Sequence, residues 1–441
     1  MSFPKAQPAK NNLGLSLSGG GYRASTFHLG TLKKLHELDI LDKVDVISTI
    51  SGGSITGAAW AVHDGDYPSF HKKMAEAVQT KDVIKHIYGS WAFIRTILLA
   101  AVLILGAIII TIFFRSYAWV AFPMLILFFI LLFKYQFLIF PVSSVIEEVY
   151  NKFFYQGKTF KDLKKKPLLA IGSSNLHTGR PFTFSQVKMS DSAYTNEFKP
   201  PIKFKHEHFP VARAVMASSC VPFAFTPVVI DGEFFLNRED AKRAKPVLVD
   251  GGVYDNQGIQ KLTQPGSSYE CNTIITSDAG GQFRDIKPYK NTLALLLRTV
   301  DLFMYRIKAV QMVQNIYENV GRAQKPIAYF SLGWRIDKAI PGFVENMCKG
   351  QVLKEVIDAH KFEKEWIEDP ARYKAAIAQY LEMRINYDAI KERDLTDEQW
   401  NIARTTSTNL KALKPEQVEY LIRQAENLTE IQVKLYCPEL L

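Results

Sequence analysis

The sequence predicts an α/β protein built on a mostly parallel sheet, interrupted by an apolar helical hairpin and closed by C-terminal helices. Three observations carry this. Two strand, glycine-turn, helix units follow each other directly near the N-terminus, the pattern of parallel β-α units. Two long uncharged runs then sit back to back around Arg115. From about Leu293 onward the pattern is mainly helical.

The first strand is LGLSLS (residues 13–18), broken by Gly19, Gly20 and Gly21. The helix after it places Phe27, Leu32, Leu35 and Leu38 near helical spacing. VDVIST (residues 44–49) is the next strand and SITGAAWAVH (residues 54–63) the next helix, with Ser54 placed as its N-cap. The apolar block follows: residues 96–114 hold 19 uncharged positions and residues 116–133 hold 18, with Arg115 as a tight link between them. About 20 apolar residues at 1.5 Å each cross a ~30 Å hydrocarbon layer. Neither run has the polar face that a buried core helix usually keeps. A transmembrane hairpin is therefore expected over residues 91–145, dividing the remaining domain into residues 1–90 and 146–441.

A tight link returns the chain to the side it left, and that side is expected to be cytoplasmic. Arg95 and Lys134 bracket the hairpin, and residues 151–210 carry eleven Lys/Arg against four Asp/Glu, most of the formal net charge of +10. Such a bias fits the positive-inside pattern and anionic headgroups. The charge flanks an apolar hairpin and no nucleic-acid reader motif, so no nucleic-acid partner is expected. Beyond the hairpin, PLLAIGSS, RPFTFSQ, PVLVD and NTIITSD read as strands and VARAVMASSC as a helix. Two amphipathic helices are expected near the C-terminus, with Pro370 and Pro415 as start signals. Cys220, Cys271, Cys348 and Cys437 are too scattered for a zinc site or a disulfide framework, which points to a reducing compartment with no metal. The polar N-terminus predicts no cleaved secretion signal.

The chemistry lies in the glycine turns. A nucleophile at the end of a parallel strand needs a sharp turn with small neighbours two residues away on either side. Thr49-Ile50-Ser51-Gly52-Gly53 centres such a turn on Ser51, with Thr49 at a position usually held by Gly and expected to crowd it. SGGGYRAS puts several backbone N–H groups at a helix N-terminus, as a developing negative charge requires. It lacks the lysine of a phosphate-binding P-loop and the spacing of a dinucleotide site. Serine needs a base. After Asp250 the single histidine is His360, in a charged helical stretch without catalytic character. The better candidate is Asp250, after a β-branched run and before two glycines; Asp255 and Asp278 compete with it.

In this order SGGGYRAS, TISGGSITG and LVDGGVYDN resemble the oxyanion loop, nucleophile elbow and Asp-Gly-Gly/Ala motif of the patatin-like phospholipases. SGGGYRA is also similar to the cytosolic phospholipase A group. The likeness extends to SSNLHTGRPFTF and ARAVMASSCVPFAFTPV, and weakly to the C-terminal STNLKALKPEQVEYLIRQAE; the hairpin lies outside the usual pattern. The resemblance implies a three-layer α/β/α fold and a Ser–Asp dyad without histidine, metal or other cofactor, acting on acyl esters of membrane lipids. By position Ser51 is the nucleophile and Asp250 its proton acceptor. The amides of Gly19, Gly20 and Gly21 form the oxyanion hole, Gly52 and Gly53 shape the elbow, and Arg23 steers anionic headgroups or fixes the turn. The Thr49 mismatch leaves a second reading, a catalytically silent or effector-activated lipid-binding membrane module.

Overall fold

The computed structural model describes residues 11–280 and 289–441. The polar start of the chain, residues 1–10, lies outside them. Nine strands form one sheet among the described residues. Its parallel centre runs β3 (Leu168–Asn175), β2 (Val46–Ile50), β1 (Asn11–Leu17), β8 (Cys271–Asp278), β9 (Ile327–Ser331). An antiparallel margin is added by β4 (Arg180–Phe184), β5 (Met189–Ser190), β6 (Val228–Val229) and β7 (Val247–Asp250).

Alternation along the central strands sorts their side chains into two layers. Ile47, Leu169, Ile171, Ile275, Ala328 and Phe330 join the large core cluster under α1 (Gly21–Glu37), α2 (Gly52–Val62) and the C-terminal helix Pro415–Tyr436. Their neighbours Val46, Ala170, Ile274, Ile327 and Tyr329 face a smaller cluster with Ile259, Leu262 and Tyr269. The sheet is thus covered on both faces, as near-continuous apolar strands require. The chain fills β1, β2 and β3 in one direction and later returns to place β8 on the other flank of β1. This reversal opens a crevice at the carboxyl ends of β1 and β8, the usual ligand position in such sheets.

The apolar hairpin lies within the crossover from β2 to β3, where an insertion leaves the strand order intact. Its first arm is the helix Trp91–Phe113, about 34 Å long at 1.5 Å per residue. The link is not the tight turn expected at Arg115 but a six-residue 3-10 segment, Arg115–Val120, leading into the helix Ala121–Lys134. Both spans are long and apolar enough to cross a membrane, with mean hydropathies of 2.9 and 2.2, and they are hardly covered by the rest of the protein.

Other expectations shift as well. The helical C-terminal region also contributes β9, because Ile327–Ser331 pairs with β8 beneath the core. The helix expected around Pro370 is divided into Lys364–Glu368 and Lys374–Arg384, with Pro370 in the break. Pro415 stands at the first position of the last helix, as expected.

Candidate active site

Ser51 is the residue that ends β2 and starts α2, at φ 48° and ψ −115°. A non-glycine residue in that region is strained and needs its surroundings to hold it. Three bonds do so: Ser51 N–H donates to Ser218 Oγ at 2.9 Å, Ser54 Oγ lies 2.9 Å from Ser218 Oγ, and Ser54 Oγ donates to Thr49 Oγ1 at 3.0 Å. Ser54 is therefore not the helix N-cap but an interior member of this hydroxyl chain, and the helix begins at Gly52. Thr49 does not crowd the elbow either. Its Cγ2 points to Gly57, where an added Cβ would stand only 2.5 Å away, so the missing side chain at Gly57 makes room for the extra methyl. Gly52 packs on the backbone of Gly21, and Gly53 donates to Ser18 O at 3.0 Å, which brings elbow and glycine loop together.

Asp250 reaches Ser51 through an unusual strand arrangement. Along one edge of β3, residues 168–172 pair with β2 in parallel, and residues 173–175 pair with β7 antiparallel. Ile50 lies opposite Gly172, and Asp250 opposite Ser173. The strands β2 and β7 thus run toward each other along the same edge, and their last residues deliver Ser51 and Asp250 to one point. The Ser51 hydroxyl stands next to the Asp250 carboxyl, and both line one crevice. Gly252 N–H donates to Asp250 Oδ1 at 2.7 Å, and Ser174 Oγ holds the Asp250 carbonyl at 2.9 Å. Burial pushes the Asp250 carboxyl up to about 6, against the lowering pull of the Gly252 and Ser51 bonds. A base poised there is matched to neutral pH.

The three glycines after β1 are not equivalent. Gly19 N–H donates to Asn256 O at 2.9 Å and is held by the protein itself. Gly20 and Gly21 take φ 142° and 58° at the N-terminus of α1, where N–H groups have no intrahelical acceptor. Their amides are therefore better placed than that of Gly19 to meet a negative charge in the crevice. Arg23, also assigned to this loop, is buried: its guanidinium donates to Thr406 O at 3.1 Å and Ala279 O at 2.9 Å. It joins α1 to the exit of β8 and to the C-terminal segment, which makes it a fastener of the turn. Burial lowers it to about 10, above neutral pH, so it stays charged.

The competing carboxylates have other partners. Asp255 accepts from the amides of Gln257, Gly258 and Gln260, a local turn. Asp278 accepts from Lys308, from Tyr329 Oη at 2.6 Å and from Gly280 N at 2.8 Å. Lys308 outweighs burial and holds the Asp278 carboxyl down to about 2. His360 is bonded to Leu435 O within the C-terminal helices. The Asp278–Lys308 pair fastens the helix Thr292–Met312 over the crevice. Between this helix and the glycine loop lies a cavity of about 320 Å³ lined by Ser51, Asp250 and Asn256 below and by Leu297, Arg298, Val300, Met304 and Lys308 above. Sequence reasoning missed this roof, as well as Ser218 and Asn256. Asn256 stood inside the quoted Asp-Gly-Gly stretch, and the mixed polar face of residues 297–308 was the readable signal for the roof.

A buried serine on a strained strand-to-helix turn, beside a buried aspartate and near helix-terminal amides, has the geometry of the nucleophile elbow found in α/β proteins. The family model of patatin-like phospholipases matches residues 15–262, and the chain belongs to that family. The match covers both glycine turns and Asp250. Among curated proteins none matches. Solved structures with a similar course include human GIVD cytosolic phospholipase A2 at 14% identity and TM-score 0.48, covering 97% of this chain and 59% of that one. VipD from Legionella pneumophila is similar at 13% identity and TM-score 0.29, covering 98% and 87%. ExoU of Pseudomonas aeruginosa, in its complex with SpcU, follows at 12% and 0.23, covering 94% and 71%. The chain spans about three-fifths of the length of the human phospholipase chain.

Proposed function

We propose that this protein is a membrane-anchored serine hydrolase that cleaves acyl esters of phospholipids through Ser51 and Asp250. The observation that carries the reading is the convergence of β2 and β7 on one edge of β3, which sets the strained Ser51 beside a buried carboxyl raised to about 6 in one crevice. In the first step Asp250 takes the Ser51 proton while Oγ bonds to the ester carbonyl carbon. The resulting oxyanion is held by the amides of Gly20 and Gly21; one such donor is typically worth about 10²- to 10³-fold in rate. Collapse breaks the ester bond, and the departing alcohol or lysolipid leaves with the proton from Asp250. Water then attacks the acyl-serine, again giving its proton to Asp250; collapse breaks the bond from the acyl carbon to Ser51 Oγ, Asp250 returns the proton to Oγ, and fatty acid leaves. The chain's own groups suffice for each proton transfer.

In this reading residues 91–145 form the membrane hairpin, and residues 1–90 and 146–441 form the hydrolase domain on its cytoplasmic side. Lys161, Lys165, Lys199, Lys203 and Lys205 remain exposed toward anionic headgroups. Lys158, Lys164 and Lys166 serve inward, on Asp64, the Trp60 ring and Asp45. The test is fatty acid release from mixed phospholipid vesicles, with labelling by a fluorophosphonate probe alongside. Wild type is expected to release fatty acid and label at Ser51, and Ser51→Ala to do neither while remaining folded. Labelling without release points to a switched-off enzyme, and absence of both to a lipid-binding module.

A further inference from the structure

A second cavity, of about 310 Å³, opens at the base of the hairpin. Leu99 and Leu103 of the first arm, Phe128 and Leu131 of the second, and Phe223 and Phe225 line it. The last two belong to a short loop with a double position. Val221 and Pro222 line the crevice above Ser51, while the next four residues, 223–226, line the hairpin cavity. One loop is therefore the common wall of both spaces.

The ends of this loop are fixed. Cys220 O accepts from Asp250 N at 2.8 Å, so the loop starts against the proton acceptor itself. Thr226 O accepts from Ser143 Oγ at 2.5 Å and from Cys220 Sγ at 3.0 Å, which pins the far end to the near one. The tip between them is a tight turn in which Phe225 N donates to Val221 O at 3.0 Å, and Phe223, at φ 66°, is 58% exposed. The crevice over Ser51 carries Arg23, Arg298, Asp301 and Lys308 and suits the glycerol and headgroup end of a lipid. Its apolar side chains, among them Leu297, Val300 and Met304, are interleaved with these charges, whereas the hairpin cavity is lined almost throughout by apolar side chains of the two arms.

We propose that the hairpin cavity is the acyl-chain site for the ester cleaved at Ser51, with the 221–226 loop as the wall the chain passes. The proposal rests on the hydrolase reading above. It gives the position of the hairpin a use, since its arms supply an uncharged space on the far side of the loop that borders the crevice. A chain drawn from the bilayer between the arms would keep its methylenes in an apolar setting until its carbonyl lies at the serine.

The experiment compares p-nitrophenyl palmitate with p-nitrophenyl butyrate on the detergent-solubilised full chain. Butyrate reads the dyad and palmitate adds the chain site. Leu131→Trp fills the cavity, and the palmitate-to-butyrate ratio of kcat/KM is expected to fall at least about tenfold, the worth of roughly two buried methylenes. Leu105→Trp, on the exposed side of the first arm, is expected to leave the ratio where it was. An unchanged ratio in Leu131→Trp overturns the proposal. If wild type cleaves neither ester, the probe labelling of Ser51 decides the dyad reading, and the cavity is judged separately by photolabelling with a diazirine-bearing palmitate. Label at residues 99–103, 128–131 or 223–226 that free palmitate competes away sustains the chain site, and label confined to the outer hairpin faces overturns it.

Discussion

Replacing Asp250 with Asn is expected to abolish hydrolysis and at the same time stabilise the fold at neutral pH. In the folded protein the carboxyl is raised to about 6, against 3.8 when exposed. The folded state therefore holds its proton more tightly than the unfolded chain does. The fold is unburdened below pH 3.8 and loses stability as pH rises through 6, because a buried charge then has to be kept. A gap of that size corresponds to about 3 kcal/mol at pH 7 and above. Asn is close in shape and carries no charge, so it avoids this cost. Melting temperatures of the wild type and Asp250→Asn, measured in one detergent from pH 4 to pH 8, are expected to coincide near pH 4 and separate through pH 6, with the variant higher. In parallel the wild-type kcat/KM should rise with pH through about 6, as Asp250 becomes able to accept a proton. A melting gap that does not vary with pH, or a wild type more stable at pH 8, would refute the assignment of a desolvated base.

Gly57→Ala should cost about 1–3 kcal/mol by overpacking on Thr49 Cγ2, and Thr49→Ser in the same chain should recover most of it; chemical denaturation of the two singles and the double reads this coupling. Lys308→Met leaves Asp278 buried with only neutral donors, for which a loss of about 3–5 kcal/mol is expected. The same change frees the helix over the crevice, so KM for vesicle substrate should change more than labelling of Ser51. Leu105→Lys, at the middle of the first arm, should reduce membrane association, since a lysine there costs about 2.5–3.5 kcal/mol on insertion; flotation with liposomes measures it.

The two β-turn-α units were legible because local chemistry dictates them: apolar runs make the strands, and the glycines that follow allow the close turns. The hairpin was legible for the same reason, its polarity being a property of consecutive residues. What the sequence did not reveal depends on register. Nothing in PVLVD says that it runs antiparallel and continues the edge that β2 leaves, so Asp250 could be chosen by its turn but not placed against Ser51. The compensation of Thr49 by Gly57 was hidden too, since the two come together across an elbow and not along a strand. Gly19 looked like its neighbours until the Asn256 carbonyl claimed its amide. The strand Ile327–Ser331 was masked by the helices around it, which dominate the composition of that region.

The meeting of β2 and β7 on one edge of β3 also sets an order of events. Ser51 and its turn can form early, from residues close together in the chain. Asp250 arrives only after the whole hairpin, β3 and the loop to β7 have been made, and only if β7 finds its place on β3. The contact is of long sequence separation and therefore slow to close. In the proposed reading, a chain released before that pairing has its serine but lacks the carboxylate. With the apolar hairpin encoded between Ser51 and Asp250, the segment proposed to seat the protein in a membrane is made before the residue proposed to arm it.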